Sequence, residues 1–408
     1  YSGGTTISEG ILQIGDGTSN GTIGTGLITI TNGRLAFNRP NAYTVAESFA
    51  TFQAGTTPGI ENNGAGRLTI NASNLSFSAT GASLALGGTG DGVVDGPIAR
   101  GGAAANIVKD GVGTWTFNDS ETNYSGTTTI NAGMLEITGR LGKGDYAQSI
   151  VNNTQFKINS TSAQILSGVL SGSGELIKAN TGILTLSGEN TYTGRTVVDG
   201  GRLSITGSIG GASRDYQAPL VNNGQVELNA TGTQRFSGAL SGSGAWLKNG
   251  TGTWTWSGAN TSTGALTITN GRVVIEEGSG VPSGDITVPN GTLEFARTSP
   301  TTFANRFYIA GTGSAPTFLN NGTGLVTVAP GNETNIGVDN NEPFTIGGSG
   351  DIRVEKSVAS GANASRLTKV GSGTVTLVAS NNNYSGGTTI SEGILQIGDG
   401  TSNGTIGT

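Results

Sequence analysis

Carboxylates, lysines and tryptophans are the only residues here whose types invite a site, because the 408-residue chain contains no His and no Cys. That removes the Ser–His pair, the imidazole acid–base group, the thiol nucleophile and the Cys- or His-ligated metal. Polysaccharide cleavage would need two carboxyls on one face, about 6.5–9.5 Å apart for inversion. The acidic residues are scattered, and the densest group is Asp91 and Asp95 in GGTGDGVVDGP, a weak candidate for a loop cation. It misses the calcium-binding nonapeptide pattern because Asp91 arrives one place early after Gly87-Gly88-Thr89-Gly90. Glu276 and Glu277 are adjacent and would face opposite ways in a strand. No catalytic residue, cofactor or enzymatic activity is expected.

The tryptophans are resolved by internal alignment. Four units share one pattern: IVKDGVGTWTFNDSETNYSGTTTINAGMLEI at 107–137, LIKANTGILTLSGENTYTGRTVVDGGRLSI at 176–205, WLKNGTGTWTWSGANTSTGALTITNGRVVI at 246–275 and LTKVGSGTVTLVASNNNYSGGTTISEGILQI at 367–397. Trp254 and Trp256 fall where the sister units have Leu184 and Leu186, Trp115 and Phe117, and Val375 and Leu377, while Trp246 falls on Leu176. Positions that exchange Trp with aliphatic residues are core positions rather than sugar platforms. Tyr1, Tyr124, Tyr192 and Tyr384 share one place, taken by Ser262 in the remaining unit, and are read as packed rings at a corner. Lys109, Lys178, Lys248 and Lys369 recur once per unit without a fixed carboxylate, and are expected to lay their stems on the surface with their heads in water. Thr-rich runs such as Thr127-Thr128-Thr129 do not persist in the sister units, which argues against a flat Thr ladder.

Elements that position these residues follow from repetition at three scales. Segments 1–25 and 384–408 are identical, an offset of 383. The chain opens inside a motif, at Tyr1. It is expected to be one complete tandem repeat, 1–383, plus the opening of the next, 384–408, within a giant repetitive protein. Inside this period a pattern apolar-x-x-Gly-x-apolar-x-apolar recurs about every 20–24 residues, with Gly at 10, 33, 133, 201, 224, 271, 291 and 393. Apolar residues alternate within each copy, as in Leu12/Ile14, Leu135/Ile137 and Leu293/Phe295, which is the half-buried strand signature. Short strands recurring at one coil length predict an all-β fold, a right-handed parallel β-helix (β-solenoid) running as a single continuous unit over 1–408. Asn-Gly at 32–33, 223–224, 270–271 and 290–291 is expected at corners of positive φ. Separate β-sandwiches would need linkers and roughly 100-residue domains, and neither is visible. Segments 38–65 and 296–350 keep no motif and are read as loops where recognition could sit.

The stretch GSGELIKANTGILTLSGENTYTGRTVVDGGRLSI at 172–205 resembles the passenger-associated repeat of bacterial autotransporters. The likeness is good at 242–275 and partial at 107–137 and 367–397. It implies export across the outer membrane, display on the surface of a Gram-negative-type cell with outer-membrane anchoring, and coils that help the passenger fold as it emerges. Zero Cys suits a chain that crosses an oxidising compartment unfolded. The net charge of −6 argues against nucleic acid, and no stretch approaches the ~20 apolar residues of a spanning helix, so no membrane insertion is expected. The expected function is a structural or adhesive segment of an extracellular fibre or biofilm matrix, with polysaccharide binding or cleavage as the alternative. Expected partners are neighbouring tandem repeats of the same chain, then laterally associated copies, a host or neighbouring cell surface, or glycans.

Overall fold

The computed structural model describes residues 2–77, 80–98, 104–309, 316–329, 335–338, 343–360 and 365–407. These fall into two compact units, 1–212 and 213–408, each described by itself. Both are parallel β-solenoids. Strands of two to eight residues stack coil upon coil, and among the described residues the only helical pieces are single 3₁₀ turns.

In the first unit one sheet runs Ile11–Ile14, Arg34–Phe37, Gly59–Asn62, Thr80–Gly87, Ala104–Lys109, Thr128–Ile130, Ile150–Asn152 and Leu170–Ser171. A second runs from Tyr43–Val45 through Thr114–Phe117 to Thr196–Val198, and a third from Asp145–Tyr146 to Arg202–Ile205. In the second unit the longest sheet runs from Asp215–Tyr216 to Thr388–Ile390. The paired strands are parallel, and their register makes one inward column of the first unit read Leu68, Gly92, Trp115, Leu135, Phe156, Leu176 and Thr196.

The alternation explains the core. A strand turns every second residue to the inside, and one coil cannot cover that face alone, so it is covered by the coils above and below. Trp115, Phe117, Leu184, Leu186, Trp246, Trp254, Trp256 and Leu377 are all 0–1 % exposed. Trp246, Trp254 and Trp256 pack against one another with centroids 5.1–5.7 Å apart, two of the three pairs edge-to-face. Gly92 is the neighbour that makes room for Trp115, since a Cβ there would lie 2.6 Å from the indole.

Corners obey a second rule. The chain turns inside the solenoid wall, and its buried amides need partners. Asn62 donates to the carbonyls of Gly66 at 2.8 Å and Asp91 at 2.7 Å, and Asn320 to those of Gly324 and Asp351, both at 2.8 Å. The expectation of positive φ at Asn-Gly corners holds at Gly271, with φ 70°, but not at Gly33 or Gly291. There the requirement is space: a Cβ would meet Ile7 Cγ2 or Ile268 Cγ2 at 2.3 Å.

Segments 38–65 and 296–350 are not loops. They hold the strands Tyr43–Val45, Gly59–Asn62, Thr301–Phe303, Phe307–Ile309, Thr317–Asn320 and Val326–Val328, among others. Several of their coils are longer than the regular ones. Leu35 pairs with Ile60 and Phe318 with Ile346, wider steps along the chain than the one from Leu135 to Phe156. The added length blurs the period without removing the strands. Residues 310–315, 330–334 and 339–342 of the second segment lie outside the described residues.

Candidate functional site: the lysine corners

Lys109, Lys178, Lys248 and Lys369 each lie at the end of a strand or one place before it, two positions after a core side chain, respectively Ile107, Leu176, Trp246 and Leu367. Period-two alternation therefore turns every one of these lysines inward, and all four are 0 % exposed. This corrects the expectation of heads in water. The ammonium of Lys109 donates to the carbonyls of Asp110 at 2.8 Å, Gly111 at 2.6 Å and Ala132 at 2.9 Å. Lys178 repeats this with Ala179 at 2.5 Å, Asn180 at 2.9 Å and Gly200 at 3.3 Å. Lys369 does so with Val370 at 2.9 Å, Gly371 at 2.6 Å and Glu392 at 3.1 Å, and Lys248 bonds to the Gly250 carbonyl.

Each cage draws carbonyls from its own corner, and those of Lys109, Lys178 and Lys369 add one from the coil above. The ammonium thus ties two coils together at a point where the ladder has stopped. Three N–H donors match three converging carbonyls, and charge-assisted bonds are the strong ones. The motif glycine of the next coil completes the corner. Gly133, Gly201, Gly271 and Gly393 have φ of 63°, 63°, 70° and 69°. A Cβ at Gly201, Gly271 or Gly393 would lie 2.7–2.9 Å from the lysine Nζ. Burial depresses the Lys109, Lys178 and Lys248 ammonium groups to about 8, and lowers that of Lys369 as well. Such an amine suits a base in principle. Full burial against backbone makes it a coil clamp instead.

The tyrosines belong to the same corner. Tyr124, Tyr192 and Tyr384 are 0–2 % exposed, and each hydroxyl meets the Thr four places on: Thr128 at 2.8 Å, Thr196 at 2.8 Å and Thr388 at 2.9 Å. Tyr1 lies outside the described residues. Those threonines stack directly above the core residue that precedes each lysine, as in Ile107↔Thr128 and Leu176↔Thr196. The unit with Ser262 in place of Tyr has Leu266 in place of Thr, and it carries Trp246 at the position beneath. Hydroxyl pair and ring volume change together, as a packed core demands. Thr128 Oγ1 also bonds Tyr146 Oη at 2.8 Å. We expect Thr128→Val, which keeps the shape, to destabilise the first unit by about 2 kcal/mol because it removes the buried hydroxyl that meets both Tyr124 and Tyr146. Urea denaturation followed by far-UV circular dichroism measures this, and an unchanged midpoint would contradict it.

The carboxylates are dispersed and engaged. Asp91 Oδ1 accepts from Thr114 N at 2.9 Å, at the edge of a shallow groove of about 380 Å³ lined by Asn63, Arg67 and Thr89. Asp95 Oδ1 accepts from Asn118 Nδ2 at 3.0 Å. Among the described residues no three His, Cys, Asp or Glu side chains come together as a metal site. Glu276 pairs with Arg235 at 2.6 Å. Glu277 is held down at about 2, chiefly by the backbone N–H of Ser299. A carboxyl so acidic cannot act as a proton donor near neutrality.

The passenger-associated-transport-repeat family matches residues 1–14, 107–137, 176–205, 247–275 and 367–397. The last four matches each contain one caged lysine and its partner glycine. Among curated proteins, the chain is 27 % identical over 240 residues to the adhesin BmaC autotransporter of Brucella suis biovar 1, covering 49 % of this chain and 6 % of that protein. It is 28 % identical over 157 residues to the Neisserial autotransporter lipoprotein NalP of Neisseria meningitidis serogroup B, covering 36 % and 13 %. The chain therefore spans only a small part of the length of these relatives. No solved structure matches it.

Proposed function

We propose that this autotransporter passenger segment, built on passenger-associated-transport repeats, is a structural and adhesive stretch of a surface fibre in a Gram-negative bacterium. Tandem copies would continue the solenoid, and the fibre would work through length and repeated surface, without catalysis. One observation carries the reading. The same sequence occurs twice, at 1–25 and 384–408, and the coil that follows the first copy stacks on it through Ile28–Ile30 and Arg34–Phe37. The second copy, stacked in turn on the coil beneath it, carries the same residues in the same order and so can receive the same coil again.

A chain of two successive copies tests this. Amides of the internal junction coil should exchange as slowly as those of central coils, while the same residues at the final end exchange fast. Equal, fast exchange at both would refute continuation. A polysaccharide panel incubated with the purified chain tests the absence of catalysis, which turnover sensitive to a carboxylate substitution would overturn.

A further inference from the structure

One corner of the first unit has a near copy in the second. Asn62-Asn63-Gly64-Ala65-Gly66-Arg67-Leu68 returns as Asn320-Asn321-Gly322-Thr323-Gly324-Leu325-Val326, and Gly88-Thr89-Gly90-Asp91 as Gly348-Ser349-Gly350-Asp351. We propose that the groove beside Arg67 and Asp91 binds neutral saccharide units through their vicinal hydroxyls. This rests on the reading of the segment as adhesive, and gives it a site and a ligand class.

What the two corners share is what the fold needs. Asn62 and Asn320 donate to equivalent pairs of carbonyls. Asp91 Oδ1 accepts from Thr114 N at 2.9 Å, and Asp351 Oδ1 from Thr374 N at 2.8 Å. A Cβ at Gly90 would lie 2.2 Å from Gly64 O, and one at Gly350 2.0 Å from Gly322 O. The differences lie at the surface. Exposed Arg67 stands where the second corner has Leu325, itself 39 % exposed, so the coil does not require the guanidinium. Among the described residues that guanidinium has no hydrogen-bond or ion-pair partner. Asn321 Oδ1 accepts from Ser349 N at 3.2 Å, whereas Asn63 bonds only through its Nδ2, to Glu61 at 3.4 Å.

Arg67, Asn63 and Asp91 therefore bring a donor fork, an amide oxygen and a second carboxylate oxygen to the groove of about 380 Å³ that they line with Gly64, Thr89 and Gly90. A vicinal diol uses both kinds of group, since each hydroxyl donates once and accepts. An anion would face Asp91 and a cation would face Arg67, and like charges placed together are rejected. The volume lies within the ~300–1,000 Å³ of small-molecule pockets and admits the end of a glycan chain. None of the described lining residues is aromatic, so recognition falls to hydrogen bonds at the ring edge. Such an open site holds one sugar at about millimolar Kd. Repetition along a fibre would multiply that by about 10²–10⁴ where several sites engage one surface.

Saturation-transfer NMR of the full chain with glucose, galactose, mannose, their disaccharides, glucuronate and inorganic phosphate tests the proposal. At least one neutral sugar should receive saturation. R67L copies the second corner, and D91N keeps an oxygen for Thr114 N, so both variants should hold the urea midpoint. Each should weaken that sugar by about tenfold. Three results would overturn the site: no transfer to any neutral sugar, transfer that both variants leave unchanged, or transfer to glucuronate or phosphate alone. Each of these leaves the hydrogen exchange of the two-copy chain, and with it the continuous fibre, to stand or fall separately.

Discussion

Gly201→Val opens the second lysine corner and loosens the coils on either side of it. The new Cβ would lie 2.3 Å from the Gly182 carbonyl, 2.5 Å from that of Asn180 and 2.9 Å from Lys178 Nζ, at a φ of 63°. A β-branched residue has no comfortable place in the left-handed region, at about 1–2 kcal/mol. The displaced ammonium loses partners it cannot replace with water, worth about 1–3 kcal/mol more. We expect a total near 3–4 kcal/mol, among the largest effects available to one substitution outside the aromatic core. Gly200→Ala is the control, one residue away, with an unstrained φ and a nearest contact of 3.2 Å. Because solenoid stability is a sum over neighbouring coils, the measurement should be local: hydrogen exchange or limited proteolysis across 170–210. Equal protection in the two variants would remove the cage from any account of the repeat.

Raising the pH from 7.5 to about 10 should stabilise the protein. Folding lowers Lys109, Lys178 and Lys248 from 10.5 to about 8 because burial disfavours the charge. Between those values the unfolded chain binds more protons than the native one, so stability climbs with pH, by at most about 1.4 kcal/mol per unit for each lysine. The neutral amine still offers two N–H donors to the corner carbonyls. Above pH 10 the sign reverses. Burial pushes Tyr124 up to about 12 and raises Tyr146 further, so unfolded tyrosines ionise first and the native state loses ground. Urea midpoints at pH 7.5, 9, 10 and 11 should therefore trace a maximum near 10. Replacing the three lysines by Met should flatten the rising limb and leave the fall. A midpoint that drops steadily from pH 8 would show that the corners need their charge more than burial penalises it.

The sequence displays the fold more openly than the corner. Alternation in Leu184/Leu186 or Leu135/Ile137 and the recurring Gly are direct consequences of coil geometry, so they survive wherever the coil is regular. They fade at 38–65 and 296–350, where added residues lengthen the coil. The lysine is hard to place from sequence because Lys on a β surface is ordinarily solvated. Its parity is the signal that points inward: Lys178 sits two places after Leu176, on the inward side, and Gly201 follows one coil later. Nothing in the residue types shows that three carbonyls converge there, since backbone atoms leave no trace in composition. The tryptophan cluster has the same limit. Exchange with Leu marks Trp254 and Trp256 as core, but not that the Nε1 atoms of Trp246, Trp254 and Trp256 are buried without a partner.

Stacking in one direction also decides how these coils respond to force. A coil at the end of a stack is held by a single neighbouring layer, by pairs such as Leu367↔Thr388 and Thr374↔Ile394. Tension on the chain end loads those hydrogen bonds one after another and not all at once. Each coil that lets go releases about 20 residues, roughly 70 Å of extended chain. Every released coil exposes a similarly built layer beneath it, so extension proceeds in even steps at similar force. A pull on such a stack would be met by graded lengthening, with the lysine corners as the stiffer rungs at which peeling pauses.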